Sequence, residues 1–332
     1  MEKQDWDPDR ILKTTGSYWQ AFALQTAIKL DVFTAIGSGT PGLDEIASTL
    51  NADRRGLGML LDALAAMALL ERKGDQYANT AAAASFLSRD SDRYLGYIIK
   101  HHHNLVEAWS KLDRSVKSGT PARSGESERT DEEIESFIMG MFNMSMNLAP
   151  QIADRIDLSG RRHLLDLGGG PGTHAIHFCL KNPGLKATIY DLPSTRPFAL
   201  KTVETFGLTD RIDFQEGDYV LENIEGAYDV AWMSQILHAE GPATCREIIQ
   251  KTRSALKPGS LILVHEFIMN DAMTGPVFPA LFSLNMLVHT AEGQSYSEKQ
   301  IREMLAGAGV KNIQRIPIES PNDSGIIQGS VE

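Results

Sequence analysis

What this sequence has little of narrows it first. Two cysteines in 332 residues, Cys179 and Cys245, lie far apart and match no metal or redox spacing, so a disulfide framework is not expected and both read as ordinary thiols in helices. No apolar run approaches the length of a membrane span, and the opening MEKQDWDPDR is acidic without an apolar core. Neither a spanning helix nor a secretory signal is expected, and the cytoplasm is the expected location. Positive charge is also short: 32 Lys and Arg stand against 43 Asp and Glu, a net charge of −11. Nucleic-acid binding rests largely on neutralising phosphates, so that balance disfavours it. Aromatics are 7%, yet apolar residues reach 42%, which suits globular cores and argues against disorder. The length exceeds what a single core serves, so two domains are expected.

What is present is organised around His163 to Gly172, HLLDLGGGPG. The apolar run Leu164, Leu165 and Leu167 reads as a buried strand, Asp166 lies within it, and Gly168, Gly169, Gly170 and Gly172 follow. A chain leaving a buried strand must turn sharply and let a ligand approach bare backbone. Ala175, Ile176, Cys179 and Leu180 then recur at helical spacing, so a ligand can sit against a helix N-terminus. The spacing is not the G-x-G-x-x-G of dinucleotide binders, and no Lys-Ser or Lys-Thr follows to hold a triphosphate. The next apolar run, KATIYDLP, ends in Asp191, where an open α/β sheet places a carboxylate for a ribose diol. Strand and helix alternate from Gly160, predicting a parallel sheet covered on both faces. Strands are expected near 163–167, 187–191, 211–215, 228–233, 260–266, 313–318 and 324–331, the last antiparallel beside the sixth.

With DRIDFQEGDY and AYDVAWMSQILH, this succession resembles the S-adenosylmethionine-dependent methyltransferases. More narrowly it is similar to the plant caffeic acid O-methyltransferases and their bacterial small-molecule relatives, whose motifs have the form DxGGGxG, DLP, GDxF and a late HDW segment. The resemblance spans nearly the whole chain. It implies an α/β, Rossmann-like, seven-stranded class I methyltransferase domain preceded by an all-α, winged-helix-like dimerisation domain. The expected boundaries are 1–95 for dimerisation, 96–158 for linker and pocket helices, and 159–332 for the S-adenosyl-L-methionine-binding domain. Gly168, Gly170 and Gly172 would serve the methionine portion of the cofactor, Asp191 the ribose hydroxyls, and Asp218 and Tyr219 the adenine, with Asp166, Leu192 and Ser234 also expected to contact the cofactor. Ser234 and Gln235 stand where the family often has a lysine and an aromatic.

The N-terminal region fits a helical domain that buries apolar faces against a second copy. Residues 11–36 show helical period, with LDVF as a short turn; shorter helices follow from Leu43 and Gly56; and LLERKGDQYANT has the look of a hairpin turning at Lys73-Gly74-Asp75. The helix that would read DNA in a winged-helix protein carries Met59, Leu60, Leu61, Leu64 and Met67, too apolar to lie along phosphates. Residues 94–117 form another helical stretch. Its His101-His102-His103 triplet invites a metal reading, but neighbours on a helix point about 100° apart and cannot all ligate one ion. No metal is expected. A polar loop, KSGTPARSGESERTDEE, precedes a methionine-rich helical span whose Met141, Phe142 and Met144 are core filler or pocket lining.

Methyl transfer to a neutral hydroxyl needs placement and a base with a pKa near working pH, and histidine suits that task. His238, a few residues past the fourth strand, lies at the ligand-binding edge of such a sheet. The resemblance makes it the general base, with Glu266 as the carboxylate orienting it; read without the family, His238 is a polar residue near a helix start. Ala239 and Glu240 replace the family's aspartate and tryptophan. A second flanking glutamate falls on Ser295, with Glu292 and Glu298 nearby. Asn285, Met286 and His289 would complete an acceptor pocket with Met141, Phe142 and Met144, suiting a flat, largely apolar molecule. The expected function is O-methylation of a phenolic or polyketide-like hydroxyl by a homodimer. The alternatives are C- or N-methylation, a non-methylating enzyme on the same scaffold, and a non-enzymatic regulator.

Overall fold

The structure is a computed structural model that describes residues 6–122 and 130–332. Residues 123–129 of the polar loop expected before the methionine-rich span therefore lie outside the described residues. The chain forms two compact units, residues 1–104 and 105–332.

The first unit begins with α1 (Pro8–Gly16), α2 (Tyr18–Lys29) and α3 (Val32–Ile36). The turn expected at LDVF is two residues, Leu30 and Asp31, the latter with φ 60°; Val32 and Phe33 resume helix directly. Then come α4 (Leu43–Thr49), α5 (Arg54–Ala66), the hairpin β1 (Leu70–Lys73) and β2 (Gln76–Asn79), and α6 (Ala81–Phe86). Asp53 starts α5 by accepting the Gly56 N–H at 2.8 Å, an N-cap of the usual kind. Phe33, Ile46, Leu61, Leu64 and Tyr77 form the core of this unit. Tyr18, Trp19 and Leu12 stay outside it, Trp19 with 70% of its surface exposed.

The helix α7 (Gly96–Trp109) crosses the division between the units, and α8 (Leu112–Ser118) follows after a break at Ser110–Lys111. The second unit continues with α9 (Asp131–Ser145), started by a Thr130–Glu133 capping box, and α10 (Ala149–Arg155). The alternation then runs β3 (His163–Leu167), α11 (Thr173–Lys181), β4 (Lys186–Asp191), α12 (Arg196–Thr205), β5 (Ile212–Glu216), β6 (Tyr228–Ser234), α13 (Pro242–Ser254) and β7 (Leu256–Met269). It closes with α14 (Val277–His289), β8 (Tyr296–Ser297), α15 (Glu298–Gly307), β9 (Lys311–Ile316) and β10 (Ser324–Ser330).

Seven strands form one sheet in the order β5-β4-β3-β6-β7-β10-β9, and β8 adds a two-residue parallel pairing to the far end of β7. The strands β3 to β7 are mutually parallel. The antiparallel β10 pairs with β9 as expected and also with β7, so it lies between them. On one face, Cys245, Ile248 and Ile249 of α13 and Ile301 and Leu305 of α15 are buried; on the other, Ile152 of α10, Ile176 and Phe178 of α11 and Val203 of α12 meet Leu164, Val230 and Trp232. The chain winds outward from β3 to β5, then returns to the other side of β3 at β6. Crossovers diverge there, leaving a crevice at the carboxyl ends of β3 and β6, where sheets of this kind bind ligands.

Candidate functional site

At the end of β3 the backbone folds on itself. Gly168 has φ +62°, a conformation costly for other residues, and donates its N–H to the Tyr190 carbonyl at 2.8 Å. A Cβ at Gly168 would come within 2.5 Å of Ile236 Cγ2 and 3.3 Å of the Tyr219 ring, and one at Gly172 would run into Ile189. Gly170, with φ +54°, is different: its Cβ would meet nothing within 4 Å. Its open side is where a ligand can reach bare backbone. Asp191 ties the turn to β4, Oδ2 accepting the Gly170 N–H at 2.7 Å and Oδ1 the Leu192 N–H at 2.7 Å.

Gly172 caps α11 without a side chain to offer. The missing acceptor comes from Asp166, whose Oδ2 takes the Ala175 N–H at 3.1 Å. Burial pushes the Asp166 carboxyl up to about 7, partly offset by that N–H and reinforced by Asp191. Asp218 folds over its own loop, Oδ1 accepting the Val220 and Leu221 N–H groups, while Tyr219 leans on Gly168.

The strand β6 ends at Ser234, and Gln235 takes φ +56° with its N–H on the His265 carbonyl at 2.8 Å. This reversal starts the short helical turn Leu237–Ala239 that carries His238. Glu266, on neighbouring β7, is 1% exposed. Its Oε1 accepts the Leu237 N–H at 2.8 Å and the His238 N–H at 3.3 Å, and its Oε2 lies 2.8 Å from His238 Nδ1. A carboxylate there makes Nδ1 the protonated ring nitrogen, leaving Nε2 with its lone pair. Phe267 is near-parallel to the imidazole at 5.8 Å, and Phe282 stands edge-on at 4.7 Å. Phe278 packs on both phenylalanines. Sequence reasoning missed these three, because period alone reads them as core or surface of α14 and β7.

Among the acceptor candidates, Asn285, Met286 and His289 share α14. Asn285 Oδ1 accepts the Trp109 indole N–H at 2.8 Å, and His289 Nδ1 donates to the Asn285 carbonyl at 2.9 Å. Met286 is buried. On α9, Phe142 meets Phe206 edge-on at 6.5 Å, Met141 is half-buried and Met144 exposed. Ser234 is engaged from below, its Oγ 2.9 Å from His265 Nδ1 and 3.5 Å from His174 Nε2.

Several of the departures around His238 are tied into other contacts. Ser295 is buried, its hydroxyl donating to the Pro279 carbonyl at 2.8 Å, so this position anchors α14. Glu298 is held by Arg302 and Arg315. Glu292 lies against Gly241. Glu240 is half-buried, and burial, then Asp218 and Glu292, raise its pKa. In the histidine triplet, His103 sits between the Lys29 ammonium and Gln25 Oε1, at 3.0 and 3.2 Å. Among the described residues no three His, Cys, Asp or Glu side chains are grouped to hold a metal ion, and no helix is long and apolar enough to cross a membrane.

Comparison with known proteins now bears on this geometry. Residues 113–311 match the O-methyltransferase domain family and residues 12–89 the O-methyltransferase dimerisation domain family. The chain is 32% identical to the 3-hydroxy-5-methyl-1-naphthoate 3-O-methyltransferase of Streptomyces sahachiroi, covering 97% of this chain and 95% of that one. It is 28% identical to the N,N-dimethyltransferase OxyT of Streptomyces rimosus, over 92% of each. The solved structure of PigF with SAH superposes with a TM-score of 0.90 at 26% identity, covering 98% of this chain and 100% of the other. The chain belongs to the O-methyltransferase family with a dimerisation domain, and it is an S-adenosyl-L-methionine-dependent methyltransferase.

Proposed function

We propose that this enzyme methylates a hydroxyl of a small aromatic or polyketide-like acceptor, with His238 as general base and Glu266 as its orienting partner. The observation that carries this reading is the 2.8 Å contact between His238 Nδ1 and a buried carboxylate already held by two backbone N–H groups. The turn fits the cofactor: open space at Gly170 admits its methionine portion, and Asp191 stands at the carboxyl end of β4 for the ribose hydroxyls. Asp218 and Tyr219 bound the adenine on this reading, with Asp166 and Leu192 supporting the turn and the ribose subsite. Bound S-adenosylmethionine supplies a methyl group on a sulfonium, an electrophile that needs no further activation. The chain's own task is to seat the acceptor and take its proton. The Nε2 atom of His238 removes the hydroxyl proton as the oxygen becomes nucleophilic, and Glu266 stabilises the resulting imidazolium through Nδ1–H. Phe267 and Phe282 shield the imidazole, and Asn285, Met286 and His289 of α14, with Met141, Phe142 and Met144 of α9, wall the acceptor.

Incubation with labelled S-adenosylmethionine and a panel of phenols, naphthols and aryl amines tests the reading. Labelled ether is expected from phenols or naphthols; label confined to amines would replace O- by N-methylation, a reading supported by the likeness to OxyT. The active species is a homodimer formed by the first unit. Leu12, Tyr18 and Trp19, which a soluble monomer has little reason to expose together, supply its apolar contact. Sedimentation of Trp19→Asp at micromolar concentration should show monomers where the parent shows dimers.

A further inference from the structure

One polar chain on the α11 face of the sheet is absorbed by none of the above. It runs through His174, Ser234, His265, Ser324, Ser320 and Asn322, buried at His174, His265 and Ser324 and half-buried at the other three. His265 is 2% exposed and Ser324 3%. Trp232 stacks on the His265 ring at 5.6 Å with 25° between planes, which fixes its orientation. The two ring nitrogens then meet two serines: Nδ1 lies 2.9 Å from Ser234 Oγ and Nε2 2.9 Å from Ser324 Oγ.

The direction of every proton follows from the far end. Ser320 Oγ donates to Asn322 Oδ1 and accepts the Asn322 backbone N–H at 3.5 Å and the Ser324 hydroxyl at 2.8 Å. Ser324 has spent its one proton, so it accepts from His265 Nε2–H. Burial lowers His265 to about 4, so at neutral pH the ring carries a single N–H. With that hydrogen on Nε2, Nδ1 is an acceptor, and Ser234 must donate its hydroxyl hydrogen inward. His174, held neutral by its own burial, has Nε2 at 3.5 Å from the same oxygen and no partner on Nδ1. Ser234, half-buried at the carboxyl end of β6, therefore offers lone pairs and no proton to the crevice.

We propose that His265 and Ser324 are positioning residues that hold Ser234 as an acceptor-only oxygen facing the cofactor, so that this site favours a cationic ligand over its neutral counterpart. The inference rests on the cofactor occupying the crevice at β3 and β6. A lone pair aimed at a sulfonium is attractive, whereas a hydroxyl hydrogen aimed there is repulsive. Removing the Ser324 acceptor lets the His265 proton move to Nδ1. Ser234 then accepts from the ring, and its own hydrogen turns outward.

The test is calorimetric and needs no turnover. Affinities for S-adenosylhomocysteine, a neutral thioether, and for sinefungin, which carries an ammonium in place of the sulfonium methyl, are measured on the intact protein, Ser234→Ala, Ser324→Ala, Ser324→Thr and His265→Leu. The ratio of the two affinities should fall at least fivefold in Ser234→Ala and Ser324→Ala and return in Ser324→Thr, with thioether binding within about twofold in both Ser324 variants. If His265→Leu fails to fold, the two Ser324 variants decide. An unchanged ratio in folded Ser324→Ala, or an equal loss for both ligands, overturns the proposal and leaves a structural network. Absence of binding of either ligand to the parent protein would instead remove the cofactor from the crevice.

Discussion

The two halves of the crevice are built from different material. On the β3 side, backbone is held by backbone: Gly168 bonds to the Tyr190 carbonyl, and the glycines at 168 and 172 have no room for a side chain. On the β6 side, side chains from separate segments converge: His238 from a short turn, Glu266 and Phe267 from β7, Phe278 and Phe282 from α14. A backbone cradle tolerates almost no substitution but suits any ligand sharing one shape. A side-chain wall can be rebuilt residue by residue, which suits a site whose acceptor varies while its methyl donor does not.

Substitutions can break this contrast, and the largest effect should come from the side-chain half. His238→Ala should lower kcat about 100-fold or more while S-adenosylhomocysteine binding, read by calorimetry, stays unchanged. Glu266→Gln should cost less in the same direction. Rates within a few-fold of the parent in His238→Ala would mean that no proton is taken there. In the backbone half, Gly168→Ala should cost about 1–3 kcal/mol of stability in urea unfolding, because its Cβ meets Ile236. Gly170→Ala should cost only about 1 kcal/mol of backbone strain, yet weaken S-adenosylhomocysteine at least tenfold. Equal stability losses in the two variants would contradict the separation of packing from ligand access.

A smaller effect depends on pH. The Asp166 carboxyl, pushed up to about 7 by burial, holds its proton in the folded chain over a range where the unfolded chain has released it. Folding stability from this group therefore falls as pH rises from about 4 to about 7, and the penalty is complete above that. Asp166→Asn lacks the term, so its unfolding free energy from urea titration should gain on the parent between pH 5 and pH 8, by on the order of 2 kcal/mol. Parallel pH profiles would show that Asp166 stays ionised. The smallest expected change is Phe282→Leu, which keeps an apolar side chain but removes the ring edge against His238. It should raise acceptor KM a few-fold and leave cofactor affinity alone.

The contrast also explains what was legible beforehand. Glycine writes unusual backbone directly into a sequence, so the turn and Asp191 could be located from DLGGGPG and DLP, and the strands from their apolar runs. The extra pairing of β8 was invisible in two residues. Asp31 ended α2 through a left-handed φ that nothing in LDVF announces. Side-chain convergence is harder still: Phe278 and Phe282 read as any amphipathic helix until α14 is folded onto β7. By resemblance Ser295 stands at the place of a lost carboxylate, and only its bond to Pro279 shows it anchoring a helix. Ser234 looked like a lost lysine, and its partners His174 and His265 lie 60 and 31 residues away.

The two-residue strand β8 has a consequence out of proportion to its length. Ile268 faces Tyr296 and Met269 faces Ser297, so the excursion that contains α14 leaves the sheet and rejoins it at adjoining rungs of one ladder. Its two feet stand together, like a handle riveted at a single spot. Such a handle can be exchanged without disturbing the ladder, so long as the replacement keeps the contacts of α14 to Trp109, His238 and Phe267. Grafting residues 270–295 from a relative with another substrate should then shift acceptor choice, read with the same panel of phenols, naphthols and aryl amines.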